Sequence, residues 1–463
     1  KLMQNFFQNP IRYDLSQKRR VLSLSFILYL NTLLFVCNMQ LFSFLKKEFV
    51  KNVLTLITGS ALSQIIIYAS ILLLTRLFST ELFGIYMLFS SIILILKPIS
   101  TLQYELAIIL PRDNKDAINL FFFSIIFVLL FSALLLIIIF FFKDNLLSVF
   151  EISELSDFIY LIPLSIFFFG SISVFDYWNN RTSMFKNISK GLITKSIAMS
   201  STQIATGFGS FNYLGLIPGL IIGQLLQLLI LIKLSVKSIS NLMNEVSLKR
   251  MLHQAKKYKD IPLFNTLINV TNNLSNELPI LLITTYFGIG NVGVYGLAVK
   301  FTRAPIGIIQ QSVNQVFFNK ASKVFNSDDS LNDLVIRTSK NLLFISFLIF
   351  TPLIIISFYL DYIFGDIWVD VGLYSRILVP WLFFAFISNP LTSLIVILNK
   401  QKTILIFDSI TLVFRFLAMF IGYYFYNNII ISLLLFSGVG ILFNILIFFY
   451  LLKVSKEKKI AYK

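Results

Sequence analysis

The chain has 463 residues, of which 57% are hydrophobic and only 13% charged, with a mean hydropathy of +0.83. A water-soluble globular fold is excluded, because such domains carry about a quarter charged residues. The net charge of +17 does not mark a nucleic-acid binder either, since the cations fall between apolar runs and form no single basic domain. Cys37 and His253 are the sole cysteine and histidine. Neither a disulfide framework nor a Cys/His zinc site is therefore expected, and no GxxxxGK[ST] phosphate loop occurs.

The first 45 residues stand apart. Val21 to Leu45 is apolar and follows Lys18, Arg19 and Arg20, but a crossing there would carry Lys46, Lys47 and Lys51 to the side that the rest of the chain keeps nearly free of cations. Met39 opens a stretch, MQLFSFLKKEFVKNVL, that reads as a natural start. Residues 1–38 are accordingly expected to be an upstream extension or an artefact of start assignment. Beyond them, runs such as 121–142 (FFFSIIFVLLFSALLLIIIFFF) exceed the roughly 20 apolar residues a helix needs to cross a bilayer core. They are apolar on every face, unlike the alternating segments of a membrane β-barrel.

Twelve spans are predicted, at 53–78, 84–110, 119–142, 158–178, 191–210, 215–236, 260–285, 291–318, 341–360, 374–398, 404–426 and 429–452. The fold class is an all-α polytopic membrane protein with twelve transmembrane helices in two six-helix lobes. An N-lobe covers 46–236, a linker 237–259, a C-lobe 260–455 and a basic tail 456–463. With the start of the first span cytoplasmic, the inside segments hold 26 Lys and Arg and the outside segments one, Lys143. That asymmetry supports the count and puts both ends of the twelve-span core in the cytoplasm. The outside segments carry acids instead, among them Glu151, Glu154, Asp157, Asp361, Asp366 and Asp370.

An internal repeat appears at an offset of 209 residues. Thr75, Phe78, Gly84, Tyr86 and Leu88 match Thr284, Phe287, Gly293, Tyr295 and Leu297. Six spans per half keep one orientation, so the halves should be related by an axis along the membrane normal. The linker, with Lys249, Arg250, Lys256, Lys257 and Lys259, reads as a solvated basic loop on the membrane surface.

Ionisable groups inside spans carry the functional signal, since each costs roughly 2.5–3.5 kcal/mol at a helix centre unless it faces protein or water. Lys300, Arg303, Gly307, Gln311 and Asn314 recur on one face of the eighth span. Asn265, Asn269, Asn272, Asn276 and Glu277 form a second stripe, and Lys97, Thr101, Tyr104 and Glu105 a third. Three such stripes imply a shared hydrated cavity. Its cationic seat is assigned to Lys97, Lys300, Arg303, Arg415 and Arg376, and its polar lining to Asn269, Asn272, Asn276, Gln311, Asn314 and Thr101. Glu105, Glu277 and Asp408 are the candidates for coupling to H+ or Na+, with structural pairing to the cations as the competing reading. No catalytic residue and no cofactor is assigned.

Several stretches then resemble the polysaccharide repeat-unit flippases (Wzx type) of the multidrug/oligosaccharidyl-lipid/polysaccharide exporter superfamily. LTRLFSTELFGIYML is similar to that family's first loop. YELAIILPRD, ending in Pro111, Arg112 and Asp113, resembles the end of its second span. DYWNNRTSMFKNISKG, with Trp178, Asn180 and Arg181, resembles the loop between its fourth and fifth spans. FGDIWVDVGLYSRILVPWLF, with Phe364, Gly365, Trp368, Gly372, Leu378 and Pro380, resembles the segment leading into its tenth. The resemblance implies a MATE-like, V-shaped pair of lobes around a cationic cavity in the bacterial inner membrane. It implies an undecaprenyl-pyrophosphate-linked oligosaccharide moved outward by alternating access for O-antigen, capsule or exopolysaccharide synthesis, with a polysaccharide polymerase and a chain-length regulator as partners. Two other functions stay open: an integral-membrane polymerase or glycosyltransferase, and an amphiphile or drug antiporter of the same superfamily.

Overall fold

A computed structural model describes residues 48–149, 152–209, 215–325, 330–398 and 400–456, the side chains of a few helical residues excepted. Residues 1–38, the proposed start at Met39 and the tail beyond Lys456 lie outside the described residues. Among the described residues the chain is helical: α1 (Glu48–Leu77), α2 (Thr80–Thr101), α3 (Asn114–Val149), α4 (Leu161–Arg181), α5 (Phe185–Phe208), α6 (Leu216–Ser240), α7 (Leu248–Lys257), α8 (Asp260–Phe287), α9 (Ile289–Phe325), α10 (Leu331–Ser357), α11 (Leu360–Phe364), α12 (Val369–Ser388), α13 (Ser393–Ile397), α14 (Gln401–Tyr426) and α15 (Ile429–Lys456). Every predicted span falls on one of the long helices. Nine membrane-crossing helices are recognisable among the described residues by length and apolarity. This is a multi-pass membrane protein. The long helices that fall short of that apolarity are α5, α8 and α9. Two of them, α8 and α9, carry the polar stripes.

Two predicted spans are broken. The span at 84–110 stops as a helix at Thr101, because Leu102 and Gln103 take left-handed backbone at φ 45° and 57° and Tyr104–Ile109 continues as a 3₁₀ turn. The Thr101 hydroxyl accepts the Gln103 amide at 3.2 Å, filling one bond that the broken helix forfeits. The span at 374–398 is interrupted by a 3₁₀ segment, Asn389–Thr392, where Pro390 removes a backbone donor.

The lobes meet at the end of the bundle where the acidic segments lie. Gly84 on α2 and Gly293 on α9 are the repeat-related glycines, and they face each other across the junction. A Cβ on Gly84 would strike the carbonyl oxygen of Ile289, and one on Gly293 the carbonyl of Thr80. Residues 80 and 289 are themselves 209 apart, so the crossing is symmetric about the repeat axis. Nearby, Trp368 donates its indole N–H to the Thr75 carbonyl at 2.9 Å and sets its ring edge-on to Phe83 at 5.0 Å. Arg76 at the end of α1 donates to the carbonyls of Tyr362 and Ile363 at 3.1 and 3.2 Å, capping α11 across the junction. Its guanidinium leaves room only for a glycine at 365, where φ is +109°.

At the opposite, basic end two of the resembling segments touch. Arg181 donates to the carbonyls of Ile108, Ile109 and Pro111 and to the Asn114 side chain. Trp178 donates to Ser238 and Asn179 to Ser235, tying α4 to α6. The linker expected to be a solvated loop contains α7, capped by the Ser247 hydroxyl on the Arg250 amide. Asn119 binds the Glu245 carbonyl and the Ser247 amide, and Tyr104 donates to the Ala255 carbonyl.

Two measurements follow from this packing. Gly84→Ala and Gly293→Ala each press a methyl on backbone that no rotamer change can relieve. Each should destabilise by about 1–3 kcal/mol, read as a lower unfolding temperature in lipid discs. Gly307→Ala, where a Cβ meets nothing within 4 Å, should be neutral or stabilise by up to about 1 kcal/mol. At the linker, hydrogen bonds from Lys115 and Arg250 hold the Glu245 carboxyl below its ordinary value of 4.5. A depressed carboxylate stabilises above the unfolded value, and that stabilisation fades as pH falls below 4.5 through the folded value. Amide protection factors over 248–257, taken relative to the intrinsic exchange rate at each pH, should therefore fall in acid, and Glu245→Gln should remove that fall.

Candidate functional site

Membrane-depth charges gather in two places, one per lobe. In the N-lobe, Lys97 on α2 lies 4.5 Å from the centre of the Phe169 ring on α4, and Lys195 on α5 lies 5.5 Å from the same ring. Glu105 and Asp176 are the acids whose fields reach these lysines. Ser173 donates to Glu105 at 3.4 Å. The second oxygen of Glu105 and one oxygen of Asp176 are buried with no hydrogen-bond partner. The sequence does not single out Asp176, which lies near the end of the predicted span 158–178 and belongs to none of the three polar stripes. The helix runs on to Arg181 and puts it inside.

The C-lobe repeats the arrangement with other residue types. Arg303 on α9 lies 5.6 Å from the Trp381 ring on α12, and Arg415 on α14 lies 4.5 Å from that ring and 4.8 Å from Phe436. Arg415 also donates to the carbonyl and hydroxyl of Ser275 on α8 at 3.2 and 2.9 Å. Glu277 faces Arg303, and Asp408 faces Arg415 beside Asn272. In each lobe, then, the second long helix and the fifth set a cation against one aromatic ring of the fourth. Cation–π attraction of this kind is worth about 0.5–2 kcal/mol per contact. That is less than the cost of a membrane charge, so the acids are needed as well.

Charge balance distinguishes the lobes. Two lysines meet two carboxylates in the N-lobe. Two arginines meet two carboxylates in the C-lobe, and Lys300 is left over. Lys300 rests 4.4 Å from the Tyr86 ring of the opposite lobe, two residues from the Gly84 crossing. Among the described residues the ion pairs are Lys115 with Glu245 and Arg250 with Glu245, so no acid lies within 4.0 Å of Lys300. Outward of it the helices are clasped. Farther along α9, Gly307 and Asn314 are exposed.

The other assigned residues have structural partners. Asn269 donates to Gln103 at 3.2 Å, and the neighbouring Asn273 donates to the Leu94 carbonyl at 2.7 Å, so α8 bridges to α2 through amides. Asn276 donates to Asn272 at 2.8 Å. Arg376 caps the end of α10 through the Ser357 carbonyl at 3.2 Å and lies 4.3 Å from the Phe358 ring. Gln311 lies outside the described side chains. No group of three or more metal-ligating side chains occurs among the described residues.

The N-lobe cluster should behave as one unit. Asp176→Asn or Lys195→Met alone leaves an uncompensated buried charge and should destabilise by about 3 kcal/mol or more. The double variant should lose clearly less than the sum of the two. Thermal unfolding of the four proteins closes this cycle, and strict additivity would show that the charges do not sense one another.

Residues 73–372 match the family model described as "Polysaccharide biosynthesis protein". No curated protein sequence matches the chain. Among solved structures, the lipid II flippase MurJ in an inward closed conformation superposes with a TM-score of 0.67 at 18% identity, over 89% of this chain and 88% of that one. The MATE multidrug transporter DinF-BH gives 0.65 at 16% identity, over 88% and 96%. A transporter of the MOP superfamily from Pyrococcus furiosus, described as having a binding pocket of reversed polarity, gives 0.60 at 13% identity, over 88% and 97%. The chain belongs to the polysaccharide biosynthesis protein family and is built on the fold that MurJ and the MATE transporters share.

Proposed function

We propose that this protein is a flippase, not an enzyme, and that it moves an undecaprenyl-pyrophosphate-linked oligosaccharide repeat unit across the bacterial inner membrane. The observation that carries the reading is Lys300: a membrane-depth cation with no acid within 4.0 Å, resting on Tyr86 of the opposite lobe just inward of the clasp. Lys300 is half-buried, a cation at membrane depth is costly unless it faces water or an anion, and a phosphate-bearing headgroup is such an anion. Arg303 lies one turn further along α9, and Lys97 faces from α2 at the equivalent depth. Polar side chains of α8 and α9, among them Asn269, Asn272, Asn276 and Asn314, would line the path of the glycan. Glu105, Asp176, Glu277 and Asp408 are the carboxylates available for coupling to H+ or Na+.

Transport on this reading is alternating access. The basic end, taken as cytoplasmic from its excess of cations, admits the headgroup while Trp368, Arg76 and the Gly84–Gly293 crossing keep the acidic end shut. The headgroup stabilises the opposite arrangement only to the extent that it binds that arrangement more tightly. A cationic seat also disfavours the cationic amphiphiles that drug antiporters commonly carry.

The test is charge removal at the junction. Lys300→Gln with Arg303→Gln should reduce surface polysaccharide at least about tenfold and cause lipid-linked intermediate to accumulate, whereas Lys256→Gln on the linker should not. Unchanged export in the double variant would sink the assignment of the seat. Sugar transfer by the purified protein in a cell-free assay would favour the enzyme, and altered sensitivity to cationic drugs with normal polysaccharide would favour the antiporter.

A further inference from the structure

The linker helix α7 has a face that no part of the described protein covers. Met251, Gln254 and Ala255 turn into the N-lobe, and the bond from Tyr104 to the Ala255 carbonyl at 3.1 Å fixes that side as inward. Leu248 and Leu252, one turn apart, stand beside the inward sector and are 69% and 56% exposed. Met243, just before the helix, is 55% exposed. By helical spacing the sector next to these leucines holds Lys249 and Lys256, followed by Lys257. Glu245 is occupied by Lys115 and Arg250. Among the described residues, Lys249, Lys256, Lys257 and Lys259 therefore have no acid within 4.0 Å. The helix lies at the basic end, where α3 begins and α6 ends with Lys233 and Lys237 exposed, the level at which these spans leave the bilayer.

We infer that α7 is an anionic-lipid-binding helix, with Leu248, Leu252 and Met243 in the headgroup–acyl boundary of the adjoining leaflet and Lys249, Lys256 and Lys257 on its phosphate-bearing headgroups. Narrow apolar strips edged by lysines are what an interfacial helix presents to a charged bilayer. A protein partner fits this surface poorly. Three apolar side chains fall far short of the roughly 800 Å² a stable interface takes from each side, and lysines are depleted from such interfaces. The consequence is mechanical. From Lys257 the chain passes through Tyr258 and Lys259 directly into α8, so the leaflet that holds α7 also holds the start of the C-lobe. The inference does not depend on which substrate the lobes carry.

The full chain with Cys37→Ser and Leu252→Cys, labelled at 252 with a fluorophore, is placed in discs of phosphatidylcholine alone or mixed with phosphatidylglycerol, each holding a trace of lipid with a nitroxide at the acyl boundary. A second label, at Leu248→Cys, guards against a local effect of the first. Quenching should be at least about threefold stronger in the anionic discs. It should fall to the neutral level at high salt and in the Lys249→Gln, Lys256→Gln, Lys257→Gln triple variant, whose unfolding temperature should stay unchanged. Weak quenching in both compositions would place the face in water and overturn the inference. Strong quenching that ignores composition and salt would leave apolar insertion without headgroup binding, and shielding that grows with the number of chains per disc would assign the face to a second copy. Either result also overturns it.

Discussion

Two helices crossing at backbone contact set the geometry of everything else in this protein. Gly84 and Gly293 have no side chain to hold α2 and α9 apart, and each would-be Cβ position is filled by a carbonyl of the other helix. Such an approach is available only to glycine. Because the two residues are equivalent in the repeat, the contact lies on the axis that relates the lobes, although α2 breaks at Leu102 while α9 runs on unbroken to Phe325. Tyr86 and Lys300 meet two steps inward. Trp368 and Arg76 close the junction on the other side. The junction extends inward from the crossing through amide hydrogen bonds of α8, Asn269 to Gln103 and Asn273 to the Leu94 carbonyl.

The membrane charges obey a second constraint. Lipid and packed side chains offer no water, yet among the described residues Lys97, Lys195, Arg303 and Arg415 stand where they do without any ion pair shorter than 4.0 Å. Aromatic faces and acids at longer range share the task. The consequence is a soft electrostatic arrangement. A tight buried pair must be broken at a cost of several kcal/mol, whereas a cation resting on a ring can turn toward an arriving anion with less loss. Both lobes use this device with different residues, lysines on Phe169 and arginines on Trp381, which argues that the geometry and not the residue identity is what the two halves share.

Much of this architecture could be read from the chain and some could not. Apolar runs located the long helices, and the alternation of basic and acidic segments supports crossings at α5, α8 and α9, the least apolar of them. The repeat glycines were visible as a match, but not that they touch. Nothing in the sequence announces that the second span breaks at Leu102 and Gln103, since neither residue is a turn former, yet both take left-handed backbone. Asp176 falls inside the predicted span 158–178, near its end, but on none of the three polar stripes, so spacing alone does not single it out. The partners of Arg376 and Asn269 were hidden too, because helical spacing gives a residue's face and not what stands opposite it.

The repeat also shows where the lobes have diverged, and that divergence carries the functional argument furthest. If the halves had stayed identical, each would balance its own charges and the junction would hold nothing. Instead Ser91 occupies the N-lobe position equivalent to Lys300, so a cation sits at the junction, contributed by one lobe and resting on a tyrosine of the other. A charge placed there responds to the separation of the lobes more directly than any of the four cations seated within them.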